Sequence, residues 1–254
     1  MSRTNGPTDT TNKVLVFTVL DRSGSMSSNR EGTIDGYNEY IRGLRDDKKT
    51  EYSVSLIQFD APQTVPELTV SYEDRALADV PDLNLDSYEP RGNTPLYDAI
   101  GECVRRTDAK GRGVIMLIIT DGLENASHEF TKDSVKELIK KKETEGWTFS
   151  FLGANIDSYA VGGSVGVAAA NTANYVKGHE DTMFANALHA TFRRASLYAS
   201  EGMRAASRKE FYERSEKEAI ENPTAKKPGG RPAAPASFPP PSEERRTAWK
   251  ITRP

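Results

Sequence analysis

Two stretches limit what this chain can become. Residues 14–20, VLVFTVL, and residues 114–119, VIMLII, are apolar almost without interruption and rich in β-branched side chains. A strand with one wet face alternates apolar and polar residues. Strands that lack this alternation are buried on both faces, and sheets built from them are parallel, with helices packed above and below.

The intervening segments agree with that architecture. Ile34, Tyr37, Ile41 and Leu44 recur at helical spacing within residues 30–45, and residues 52–59 read as a second strand. The segment TVPELTVSYE follows after only the short DAPQ turn. So short a link suits an antiparallel partner, and Pro66, which has no N–H to donate, confines it to an edge. Thr94 is expected to cap a helix whose first residue is Pro95, with Leu96, Ile100, Cys103 and Val104 facing inward. Thr131 is expected to cap another, with Val135, Leu138 and Ile139 inward and Gly146 at its end. Residues 147–152 form the next strand, 157–168 a short helix, ANYVKG a last short strand, and 181–199 a helix with Phe184, Leu188 and Phe192 on one side. The expected fold is α/β: a mostly parallel sheet with one antiparallel edge strand and helices on both faces. Around this body, residues 13–201, lie a polar leader (1–12), a charged and solvated helical extension (202–222) and a Pro-rich basic tail (223–254). The tail reads as disordered or polyproline II. Its basic residues and Trp249 suit either recruitment of a partner or a solubilising spacer.

In open parallel sheets, ligands sit beyond the carboxyl ends of the strands, where strand order reverses. Three polar loops are candidates for that edge: DRSGSM after the first strand, RGNTPL before a helix, and TDGLENAS after the 114–119 strand. They carry Asp21, Ser23, Ser25, Thr94 and Asp121. In an extended turn, residues 21, 23 and 25 point the same way. All five offer hard oxygen, with no His or Cys beside them, which favours Mg²⁺, Mn²⁺ or Ca²⁺ over zinc. Three of the five are neutral hydroxyls, so a cation's charge is only partly cancelled. A carboxylate from another molecule would complete the shell.

These residues resemble a known family. DRSGS, Thr94 in GNTPL and Asp121 in ITDG are similar to the metal-ion-dependent adhesion site (MIDAS) of von Willebrand factor A (VWA) domains. The resemblance spans roughly residues 13–200, and all five positions match. It implies a Rossmann-like three-layer sandwich, a divalent cation (usually Mg²⁺) and a protein partner that supplies an Asp or Glu to the metal. It also implies that Ser23, Ser25 and Thr94 touch the metal, and that Asp21 and Asp121 hold it directly or through water. FLGANIDSYAVG is similar to small bacterial and phage VWA proteins.

Other chemistries find less support. Aspartyl-phosphate hydrolases need a second Asp two residues after the nucleophile, and Ser23 stands there. No G-x-S-x-G elbow is present, and GGSVG at 162–166 lacks the Lys-Ser/Thr pair of a phosphate loop. A metal-dependent phosphoryl-transfer enzyme and a structural subunit of a phage or bacterial assembly are the alternatives to a binding module. Asp98, Glu124, Asn125, Asn155 and Asp157 are candidates for the rim, each with a bland reading as a cap or solvated loop residue. His128, His179 and His189 lack ligand spacing, and Cys103 reads as a small core hydrophobe. A net charge of -3 gives no general case for nucleic acid. A single cysteine, no apolar stretch near the roughly 20 residues of a membrane span and a polar N-terminus lead to the expectation of a cytoplasmic protein without a signal peptide.

Overall fold

The computed structural model describes residues 12–223. The expectations for the leader, save Asn12, and for the tail, save Pro223, lie outside the described residues.

The sheet forms as the apolar runs require. Strands β1 (Asn12–Asp21), β2 (Thr50–Asp60), β3 (Glu67–Ala76), β4 (Gly113–Thr120), β5 (Thr148–Gly153) and β6 (Thr172–Asn174) lie in the order β3-β2-β1-β4-β5-β6. β3 runs antiparallel to β2 at one edge, and every other neighbouring pair is parallel. Pro66 sits just outside β3, so the ladder loses no donor. Alternate residues of β1 enter opposite cores. Val14, Val16 and Leu20 face one layer, while Leu15, Phe17 and Val19 face the other.

Helices α1 (Arg30–Leu44), α2 (Leu96–Arg106), α3 (Lys132–Glu145), α4 (Ser158–Ser164), α5 (Glu180–Glu201), α6 (Met203–Ser207) and α7 (Arg214–Glu221) cover both faces. Buried side chains of α1 and α5 build the first core, and those of α2 and α3 the second. α3 begins as expected: the Thr131 hydroxyl accepts from Ser134 N at 3.2 Å, and Gly146 closes it with φ 100°. Among the described residues, no helix is long and apolar enough to cross a membrane.

Two local expectations need correction. Thr94 does not cap α2. Pro95 is the flanking residue, with ψ 66°, and the helix starts at Leu96. Its free N–H groups are met from a distant loop: Tyr97 N donates to Glu124 Oε2 at 2.9 Å and Asp98 N to Ser127 Oγ at 3.0 Å. The segment 202–222 carries helices, as expected, in α6 and α7, but it is anchored to the core rather than wholly solvated. Phe211, Tyr212 and Ile220 are buried in the first core, and the Tyr212 hydroxyl meets Ser150 Oγ at 2.8 Å. Of its charged side chains Glu216 is buried, clasped by Arg193 at 2.8 and 2.6 Å, while most of the others stay exposed.

The chain leaves β1 for β2 on one side and later returns to β4 on the other. Strand order thus reverses between β1 and β4, paired up to Leu20 and Ile119. The crevice beyond that pair is where a ligand site belongs.

Candidate metal centre

Asp21 closes β1 and Asp121 immediately follows β4, so parallel pairing alone brings both carboxylates to the crevice. Asp21 is buried and held by two donors: Ser23 N at 2.6 Å to Oδ1 and Thr120 Oγ1 at 2.6 Å to Oδ2. Burial pushes its carboxyl up to about 6. The hydrogen bonds from Thr120 and Ser23 oppose that rise, and the negative charge of Asp121 adds to it.

The loop after β1 is stitched in place. Gly24 N donates to Gly92 O at 3.0 Å, Arg91 N to Arg22 O at 2.8 Å, and the Tyr88 hydroxyl to Asp21 O at 2.7 Å. Gly92 is required here: its φ is +65°, and a side chain would run into the Ala61 carbonyl. This anchoring sets Ser23 Oγ 3.1 Å from Ser25 Oγ, and Ser25 Oγ donates to Asp121 Oδ1. Ser23 is buried while Ser25 is exposed, so the cluster opens to solvent on the Ser25 side.

Thr94 reaches the same crevice by another route. Its N–H donates to Asn125 Oδ1 at 2.8 Å, and Asn125 N donates back to Thr94 O at 3.1 Å. Its hydroxyl lies over the backbone that follows Asp121, since a Cβ at Gly122 would come 2.5 Å from Thr94 Oγ1. Gly122 is therefore what lets the two loops close on each other.

Asp21, Ser23, Ser25 and Asp121 are thus joined in turn by hydrogen bonds, with Thr94 packed against Gly122. The other rim candidates are occupied elsewhere. Glu124 caps α2, Asp98 accepts from the N–H groups of His128, Glu129 and Phe130, and Asp157 caps α4 through Ala160 N at 2.9 Å. Asn155 is exposed.

Sequence reasoning missed one residue. Lys177, three residues past the end of β6, makes an ion pair with Asp121 Oδ2. Its ammonium also donates to Ser25 O at 3.0 Å and to Ser28 Oγ at 3.2 Å. β6 is parallel to β5, so its carboxyl end points to the same edge as those of β1 and β4. That register was the only signal that could have found it.

The donor set fits a hard cation. Asp121 Oδ2 is buried, and the partner it meets is the Lys177 ammonium. The hydroxyls of Ser23 and Ser25 stand beside it. Among the described residues no group of three or more His, Cys, Asp or Glu side chains is arranged for a metal. An ion in this crevice would depend on hydroxyl oxygens as well as on its two carboxylates.

No family model matches the sequence, and no curated protein does. Solved structures do match. Proximal thread matrix protein 1 from the mussel byssus, with zinc in its MIDAS motif, aligns with a TM-score of 0.52 at 14% identity over 78% of this chain and 47% of that one. The pilus adhesin SpaC of Lactobacillus rhamnosus GG, in an open conformation, gives 0.51 at 12% over 70% and 30%. A D319A mutant of the PilB minor pilin of Streptococcus sanguinis gives 0.51 at 11% over 78% and 65%. The fold is the von Willebrand factor A fold. This chain spans less than half the length of the first two neighbours. At these identities the likeness is one of architecture.

Proposed function

We propose that this VWA-fold chain is a divalent-metal-dependent protein-binding module. Asp21, Ser23, Ser25, Thr94 and Asp121 would hold the cation, with Mg²⁺ the natural occupant and Mn²⁺ or Ca²⁺ as substitutes. When bound, the cation would supply a Lewis-acidic position for an Asp or Glu side chain of a protein partner. The observation that carries this reading is the convergence of the Asp21 and Asp121 carboxylates with the Ser23–Ser25 hydroxyl pair at the point where strand order reverses.

Charge bookkeeping supports a binding role. Two carboxylates just balance a divalent ion and the hydroxyls add no charge, so an outside carboxylate meets an open coordination position with no net negative charge to repel it. The rim also suits a protein surface. Two of the five large apolar side chains that stand exposed among the described residues are near site residues in the chain: Leu123 lies two residues after Asp121, and Val176 precedes Lys177. Single exposed apolar residues are common, but two that lie beside the partners of one ion pair favour a contact surface. Binding rather than catalysis is proposed because Ser23 stands where a phosphoryl-transfer enzyme of the aspartyl type would need its acid. A cytoplasmic setting is proposed with it.

Calorimetric titration with Mn²⁺ and Mg²⁺ tests the site. The wild-type chain should bind one equivalent, and Asp121→Ala should bind none. Equal binding by both proteins would remove Asp121 from the site and the proposal with it. A Glu-rich peptide should then bind in Mn²⁺ and be released by chelator.

A further inference from the structure

We propose that Lys177 is a built-in competitor of the metal: its ammonium holds the Asp121 carboxylate oxygen that a cation needs, and it must withdraw before one binds. The inference rests on the metal-binding reading above.

The placement of the ammonium is specific. It is surrounded by oxygen, from the Asp121 carboxylate, the Ser25 carbonyl at 3.0 Å and the Ser28 hydroxyl at 3.2 Å. Asp121 and Ser25 belong to the candidate metal centre itself. The Lys177 side chain is only 20% exposed and that of Asp121 is 0% exposed, so neither charge is well screened by water. A long surface lysine ordinarily keeps its head in solvent. This one turns inward.

Its backbone is fixed at both ends. Tyr175 N donates to Gly153 O at 2.8 Å, extending the β5–β6 register. Gly178, at φ +86°, donates its N–H to the Glu180 carboxylate, which also receives Asn29 Nδ2 at 2.7 Å. The loop therefore delivers the side chain to one place, and only the flexible four-carbon stem is free to retract.

The electrostatics set the sign of the coupling. Without a metal, Asp21 and Asp121 bring two carboxylates to one buried crevice, and the ammonium neutralises one of them. A divalent ion at the same oxygen would stand beside a monovalent one, so the two occupancies oppose each other. Linkage makes the opposition reciprocal: whatever the ammonium adds to the metal-free state is subtracted from metal affinity. Lys177 then sets the cation concentration at which the module becomes competent to bind.

The test is Mn²⁺ calorimetry on the full chain at fixed pH and ionic strength. It compares wild type, Lys177→Met, Lys177→Gln and Asp121→Ala. Both lysine variants should bind Mn²⁺ roughly tenfold to a hundredfold more tightly than wild type, the range of typical coupling between sites. In chelator their thermal midpoints should fall below wild type, and saturating Mn²⁺ should raise those midpoints by more than it raises the wild type's. Unchanged or weaker affinity in the variants, with the wild type still binding through Asp121, overturns the role of Lys177 and leaves the metal centre standing. If no protein of the set binds Mn²⁺, both readings fall. Tight binding by the variants alone would show a site that the lysine keeps shut. The Gln variant keeps a polar head group, so it reads the same coupling should the Met variant fold poorly.

Discussion

Asp21→Asn should make the metal-free protein relatively more stable at neutral pH than at pH 4, by an amount that the structure sets. Burial raises the Asp21 carboxyl from its ordinary 3.8 to about 6. Between those values the folded chain holds a proton at Asp21 that the unfolded chain has already lost. Stability therefore falls as pH rises through that window, and the loss is complete above the folded value. A rise from 3.8 to about 6 corresponds to about 3 kcal/mol. Because the side chain is buried, solvent screening does little to reduce that figure. The amide removes the titration while preserving the contacts. Its oxygen still accepts from Ser23 N, and the Thr120 hydroxyl turns its proton toward Gly122 O, 3.2 Å away.

The assay is urea unfolding of both proteins in chelator at pH 4, 5, 6 and 7. The stability of wild type minus that of the variant should decline by about 2.4 kcal/mol across the series, since the unfolded carboxyl is already more than half ionised at pH 4, and most of it falls between pH 4 and 6. Asp74, held below the usual carboxylate range by Arg112, titrates on the acid side of this window and in both proteins alike. In saturating Mn²⁺ the decline should shrink, because a cation at the crevice favours the ionised carboxylate. A difference that stays flat, or grows with pH, would refute the claim that Asp21 is ionised against a burial cost.

Two further outcomes test the packing. Gly36→Ala in α1 should destabilise the chain by up to about 2 kcal/mol, visible as a lower urea midpoint. Helix propensity alone favours Ala by about 1 kcal/mol, but a Cβ there would come 2.6 Å from the Phe184 ring and 3.2 Å from the Glu180 backbone on α5. Stabilisation by this substitution would mean that α1 and α5 do not pack so closely. Cys103, the only cysteine of the sequence, is fully buried, and burial pushes its thiol up. It should resist a thiol reagent at pH 8 until denaturant is added; rapid labelling of the native chain would place α2 elsewhere.

The sheet was readable because its signal is local and redundant. The 14–20 and 114–119 runs lack alternation, and the link from β2 to β3, only six residues long, is too short for a crossover and permits only an antiparallel neighbour for β2. Asp21, Ser23, Ser25 and Asp121 were readable for a related reason: each lies at or just past the carboxyl end of such a run. The cap of α2 was not readable. Pro95 precedes the helix rather than starting it, and the groups that satisfy its N–H donors, Glu124 and Ser127, come from about 30 residues later in sequence. The burial of 211–220 was hidden by charge, since one Phe-Tyr pair among many Lys, Arg and Glu outweighs them only once Arg193 is seen on Glu216.

Lys177 illustrates why a binding site of this design is harder to read than its fold. A lone lysine in a loop is by default solvated, and nothing in its neighbours marks it. What singles it out is charge balance at a distance of 56 residues from Asp121. On the proposed reading, that balance is the functional variable. A third carboxylate at the position of Ser23 would hold a cation more strongly and leave the site net negative, repelling a partner's acid. Hydroxyls avoid that, but they bind weakly, and the two buried carboxylates still repel each other when no metal is present. An internal ammonium resolves the conflict by neutralising Asp121 until a stronger cation arrives. The same feature that keeps the metal-free crevice folded thus sets how much metal is needed to switch the module on. The serines and the lysine are two parts of one electrostatic design.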